Sequence, residues 1–133
     1  CFFLYTHMTT DARKSVGVEL SESRFKSTQE AQKRAQVMNL VSNNQALSFM
    51  HEDMTRVDLS DATIIFMCST CFSEALMQKM VDKFLALKPG LQIVTLKRLP
   101  AHPRLKIVYT TKLPTSWSSS SRFLFYKLRA LQK

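Results

Sequence analysis

Ala62-Thr63-Ile64-Ile65-Phe66-Met67-Cys68 is the stretch that decides the fold. Its apolar residues are consecutive rather than alternating. An antiparallel strand with one wet face alternates, whereas an interior parallel strand is apolar on both faces. The segment therefore predicts an interior strand of a parallel sheet. Ser73 and Glu74 then open a helix whose Leu76, Met77, Met80, Val81, Phe84 and Leu87 recur at three- and four-residue steps. Lys88-Pro89-Gly90 stops it, and Leu91 to Leu96 reads as the next strand. Strands alternating with helices in this way imply a mostly parallel α/β sheet.

The pattern extends in both directions. Upstream, Ser15 to Leu20 reads as a buried strand, with Glu19 at its carboxyl end. Ser21 is a helix N-cap. Phe25, Thr28, Ala31, Ala35, Met38 and Val41 or Ser42 mark one face of the helix, which Ser42-Asn43-Asn44 is expected to end. Ala46 to Met50 is a second strand, His51 to Met54 a polar loop, and Val57 to Asp61 a turn or short helical piece. Cys1 to Met8 reads as the end of an apolar helix. Downstream of Pro100, Leu105 to Thr111 and Arg122 to Leu128 are strands with no helix between them, which predicts an antiparallel pair. The connector, with Pro114, Trp117 and the run Ser118 to Ser121, reads as a flexible loop. The expected architecture is α/β and Rossmann-like: a mostly parallel sheet closed by a C-terminal antiparallel strand pair, in one domain over residues 1–133. Such a unit opens with a strand and a Gly-rich turn, here expected upstream of Cys1.

Composition narrows the classes of function. A chain of 133 residues, 45% hydrophobic and 22% charged, is a folded single domain by size and balance. Apolar runs such as Ile64 to Cys68 are too short to cross a bilayer, so no membrane partner is expected. The apolar start lacks the basic region of a signal peptide. Cys1, Cys68 and Cys71 make no disulfide framework; Cys68 and Cys71 are expected to be reduced thiols in a reducing, intracellular compartment. His7, His51 and His102 follow no metal-ligand spacing, and no metal is expected. The net charge of +9 is unevenly placed: from Lys83 to Lys133 there are 11 Lys and Arg and no Asp or Glu. That asymmetry fits either an acidic partner such as nucleic acid or a solvated basic face.

The candidate site residues lie at the carboxyl ends of the strands, where open α/β sheets bind ligands. Glu19 is placed there either to accept both hydroxyls of an adenosine ribose or to favour the helix that follows. Asp53 follows the next strand, where it would accept from an adenine amine beside Met54, or act as a turn acid beside a core Met. Ser69 and Phe72 end the central strand. Ser69 has no base nearby and no G-x-S-x-G elbow, which argues against covalent hydrolysis.

Three segments carry a resemblance: Ser15-Val16-Gly17-Val18-Glu19-Leu20-Ser21, Asp61 to Phe72 (DATIIFMCSTCF) and Phe84 to Leu96 (FLALKPGLQIVTL). They resemble the Dot-one (disruptor of telomeric silencing) family of histone lysine methyltransferases, within the class I methyltransferases. Ser116-Trp117 before the aromatic strand Phe123 to Leu128 resembles it too. The resemblance implies S-adenosylmethionine as methyl donor, with Glu19 on the ribose, Asp53 on the adenine amine and Met54 on the adenine face. It implies Ser69 beside the sulfonium and Phe72 along the substrate lysine channel, as the catalytic pair. Cys68-Ser69 stands where the family has paired Asn. The implied partner is a histone or nucleosome, with nucleic acid along the basic C-terminal part, and the implied compartment is the nucleus.

Other readings of the same residues are a nicotinamide-dependent oxidoreductase, a catalytically inactive basic chromatin- or nucleic-acid-binding module, and a methyltransferase with a non-histone acceptor. The strand pair after Pro100 argues against the oxidoreductase.

Overall fold

The computed structural model describes residues 13–39, 46–67, 69, 72–115 and 118–131, which form two compact units dividing after Val57. The expected helix over Cys1 to Met8, the Cys68–Cys71 pair and Ser116-Trp117 lie outside the described residues.

The first unit is a βαβ element. Strand β1 (Lys14–Glu19) pairs in parallel with β2 (Ala46–His51), and helix α1 (Glu22–Val37) connects them in sequence. Ser21 caps α1 as expected, its side chain accepting from the N–H of Arg24. The register sets Gly17 opposite Phe49 and Glu19 opposite His51. A side chain at position 17 would meet the Phe49 ring: a Cβ built there lies 2.4 Å from its Cδ1. The glycine lets that ring fold over the neighbouring strand. The helix ends earlier than its periodicity predicts. Met38 is the C-cap, and Asn39 has φ 56°, the left-handed conformation that stops a helix. Met38, expected on the buried face, is exposed, and Ala35 is the buried residue of α1.

The second unit holds a four-stranded sheet in the order β3 (Ile64–Met67), β4 (Gln92–Thr95), β6 (Ser118–Leu128), β5 (Leu105–Thr115). β3 and β4 are parallel, linked in sequence by α2 (Glu74–Leu85), which Ser73 caps. β6 runs antiparallel to both β4 and β5. The last strand of the chain is thus inserted between β4 and β5. The core combines Met77, Met80, Val81 and Phe84 of α2 with Ile93, Leu124, Tyr126 and Leu128 of the sheet, all buried. Each such side chain contributes roughly 1.5–3 kcal/mol by leaving water.

The α/β class is as expected: β1–β2 and β3–β4 pair in parallel, and the C-terminal β5–β6 pair is antiparallel, with β4–β6 antiparallel as well. Two expectations differ. Among the described residues β3 pairs with β4 alone rather than lying between two strands, and Ile64 is 63% exposed. The serine run is not a loop: Ser118 to Ser121 belongs to β6, with Ser121 opposite Leu113 and Ser118 opposite Thr115. Backbone pairing with β5 supplies the order that serine side chains do not.

Candidate active site

In the first unit the polar residues gather at the carboxyl ends of β1 and β2. Glu19 closes β1, and its Oε1 accepts from the backbone N–H of Ser21 at 3.0 Å. Its carbonyl accepts from the N–H of Glu52 at 3.1 Å, which continues the pairing past the strand end. His51 stacks on Phe25 with ring centroids 5.2 Å apart, and its Nε2 lies 2.9 Å from the carbonyl oxygen of Leu20. The ring therefore ties the end of β2 to the start of α1. Asp53 organises the next turn: its Oδ1 accepts from the Thr55 N–H at 2.9 Å and the Thr55 hydroxyl at 2.8 Å. Its carbonyl accepts from the N–H of Arg56. Asp53 and Met54 are both half-buried.

In the second unit the corresponding strand end is a tight polar knot. Ser69 follows β3 and is fully buried. Its Oγ accepts from the backbone N–H of Lys97 at 3.1 Å, and its carbonyl accepts from the N–H of Phe72. The ammonium of Lys97 donates to the Phe72 carbonyl at 2.8 Å. Thr95, also fully buried, donates its hydroxyl to the Lys97 carbonyl at 2.8 Å. Ser69 and Phe72 are thereby both tied to Lys97, just beyond β4. Phe72 itself is half-buried. A cleft of about 290 Å³ lined by Ser60 to Thr63 and Lys88 to Leu91 sits at the amino ends of β3 and β4, away from this knot.

The five candidates thus fall into two groups, Glu19, Asp53 and Met54 in one unit, Ser69 and Phe72 in the other. Each group lies at carboxyl strand ends. Sequence reasoning missed His51 and Lys97, which hold these ends in place. A basic residue after a strand carries no mark that separates a structural donor from surface charge, and Lys97 meets its partners across 25 and 28 residues of chain.

The sequence profile of the family described as "Histone methylation protein DOT1" matches residues 2–119. The chain belongs to that family. It is an S-adenosylmethionine-dependent methyltransferase of the histone-methylating kind by family, and a class I methyltransferase by fold. No curated protein matches its sequence. Among solved structures it is similar to an RNA methyltransferase from Salinibacter ruber in complex with S-adenosyl-L-homocysteine. That pair is 20% identical with a TM-score of 0.72, covering 98% of this chain and 75% of the other. It is also similar to a SAM-dependent methyltransferase from Methanosarcina mazei, 13% identical, TM-score 0.61, covering 90% and 83%. The N-methyltransferase NodS from Bradyrhizobium japonicum is 11% identical, TM-score 0.57, covering 86% and 73%. These likenesses share the fold.

The residues present suit the donor. Carboxylates accept and do not donate, which matches a ribose diol and an exocyclic amine. Glu19 has one carboxylate oxygen engaged by Ser21, and its other oxygen has no hydrogen-bond partner among the described residues.

Proposed function

We propose that this Dot-one family member transfers a methyl group to a histone lysine within chromatin, acting in the nucleus, with residues 1–133 working as one catalytic domain. The observation that supports this reading best is the half-engaged carboxylate of Glu19 at the carboxyl end of β1. In this reading Glu19 holds the ribose hydroxyls, Asp53 the adenine amine and Met54 the adenine face. When bound, S-adenosylmethionine supplies an electrophilic methyl group on a sulfonium. The protein's task is then to align and desolvate a neutral amine, because methyl transfer needs positioning more than covalent chemistry. Ser69 serves that task through place: its hydroxyl accepts from the Lys97 N–H and so fixes Ser69 against the chain that leaves β4. Phe72, half-buried in the same segment, lines the path of the lysine side chain.

The test is transfer of labelled methyl from S-adenosylmethionine to intact nucleosomes, free histones and RNA, followed by amino-acid analysis. Methyl-lysine formed on nucleosomes supports the reading. Label found in RNA, or in no acceptor while the donor binds, overturns the acceptor assignment.

A further inference from the structure

The peptide group between Leu20 and Ser21 is held at both of its polar ends. Its N–H donates to Oε1 of Glu19 at 3.0 Å, and its carbonyl oxygen lies 2.9 Å from Nε2 of His51. A carbonyl only accepts, so His51 Nε2 carries a proton in this contact. A chain of donors and acceptors therefore runs from the imidazole through one amide plane to the Glu19 carboxylate. Turning that plane over breaks both bonds together, and each bond polarises the other across the shared amide.

Burial does little to fix this turn, because Leu20 at its centre is 68% exposed. Polar contacts supply the restraint instead, and they come from the end of β2. His51 stands opposite Glu19 in the parallel register, which sets both side chains on one face of the β1–β2 pair. Phe25 of α1 stacks on the imidazole with the ring planes 20° apart, and the ring edge is left to donate to Leu20. The N–H of Glu52 meets the Glu19 carbonyl at 3.1 Å. Two successive carbonyls, those of Glu19 and Leu20, are thus gripped by two successive residues, Glu52 and His51.

We propose that His51 is a positioning residue for the methyl donor: through the Leu20–Ser21 peptide group it orients the Glu19 carboxylate toward the ribose hydroxyls. It touches no reacting atom. A carboxylate oriented before the donor arrives removes part of the ordering cost of binding. The inference rests on the reading of Glu19 as the ribose ligand and extends it to a residue that acts through Glu19.

The experiment is calorimetric titration of the whole protein with S-adenosylhomocysteine and with its 2′,3′-dideoxyribose counterpart. The ratio of the two affinities reads the ribose contact within one protein, so a general change in stability does not move it. The parent should prefer the ribose ligand by about ten-fold or more, as for hydrogen bonds to a charged group. His51→Phe keeps a ring against Phe25 and removes the donor. It should weaken the ribose ligand by about five-fold and leave the dideoxy ligand within about two-fold. His51→Gln, whose amide can donate to the same carbonyl, should restore most of the preference. In a Glu19→Gln background His51→Phe should change the affinity by less than about two-fold, because the acid it orients is gone. A preference that survives His51→Phe intact overturns the role of His51 and leaves Glu19 as the ribose ligand. Equal losses for both ligands assign His51 to the fold alone and overturn it too. A Glu19→Gln variant that keeps the full preference overturns the ribose assignment itself, and the role of His51 with it.

Discussion

The ammonium of Lys97 donates to the carbonyl of Phe72 at 2.8 Å, and the backbone N–H of the same lysine donates to Ser69 Oγ at 3.1 Å. One residue beyond β4 thus holds both ends of the segment that follows β3. Lys97→Met keeps the backbone contact and removes the ammonium, leaving the Phe72 carbonyl without its donor. A hydrogen bond to a charged group contributes about 1.5–3 kcal/mol. Melting should register a loss at the lower end of that range, because Lys97 is only half-buried. In turnover assays kcat should fall by about ten-fold or more, equivalent to roughly 1.4 kcal/mol of barrier. The donor Kd should stay near the parent value. Equal loss in kcat and donor binding would mean that segment 69–72 has no separate role on the acceptor side.

Glu19→Gln separates the two duties of that side chain. The amide retains an oxygen for the Ser21 N–H, so the entry to α1 and the melting temperature should be preserved. Its NH2 replaces the second acceptor that the ribose diol requires. Calorimetric titration with S-adenosylmethionine should show binding weakened by about 1.5–3 kcal/mol, as for a lost hydrogen bond to a charged group. Undiminished binding would remove Glu19 from the donor site.

Gly17 and Phe49 form a coupled pair. An alanine Cβ at position 17 would lie 2.4 Å from Cδ1 and 2.7 Å from Cε1 of the Phe49 ring, closer than side chains pack. The ring must swing away or the strands must part, so Gly17→Ala should cost about 1–3 kcal/mol in chemical denaturation. Phe49→Ala alone loses ring packing, but it also clears the space. The double variant should therefore be more stable than the sum of the single changes implies, with a coupling of about 0.5–3 kcal/mol. Strict additivity would show that the ring does not lie over Gly17 in solution.

How much the sequence disclosed depended on whether a residue's partner was near in the chain. The caps at Ser21 and Ser73 act within three residues, and both were legible. So were β1, β2 and the apolar face of α2, which follow from local periodicity. The end of α1 had a readable stop in Asn39, but hydrophobic spacing through Met38 and Val41 masked it. Ser118 to Ser121 has weak strand propensity and becomes a strand only because β5 lies beside it. The site divides in the same way. Glu19 and Asp53 stand out as acids following apolar runs, whereas His51 and Lys97 matter through contacts 25 or more residues distant. The basic excess after Lys83 is likewise two populations, one spent on backbone carbonyls and one exposed, and composition sums them.

Arg104 shows that division most directly. Its Nε donates to the carbonyl of Arg129 at 2.8 Å and its Nη1 to the carbonyl of Leu85 at 2.9 Å, while the Arg129 N–H returns to the Arg104 carbonyl at 2.7 Å. The guanidinium thereby ties the last turn of α2 to the chain leaving β6. Two donors in a fixed planar fork reach both carbonyls; a lysine ammonium is a single point and cannot span them. Arg104→Lys, which keeps the charge, should therefore destabilise the protein by about 1–3 kcal/mol in denaturant titration. An Arg104→Lys variant as stable as the parent would show that the two carbonyls do not depend on the fork.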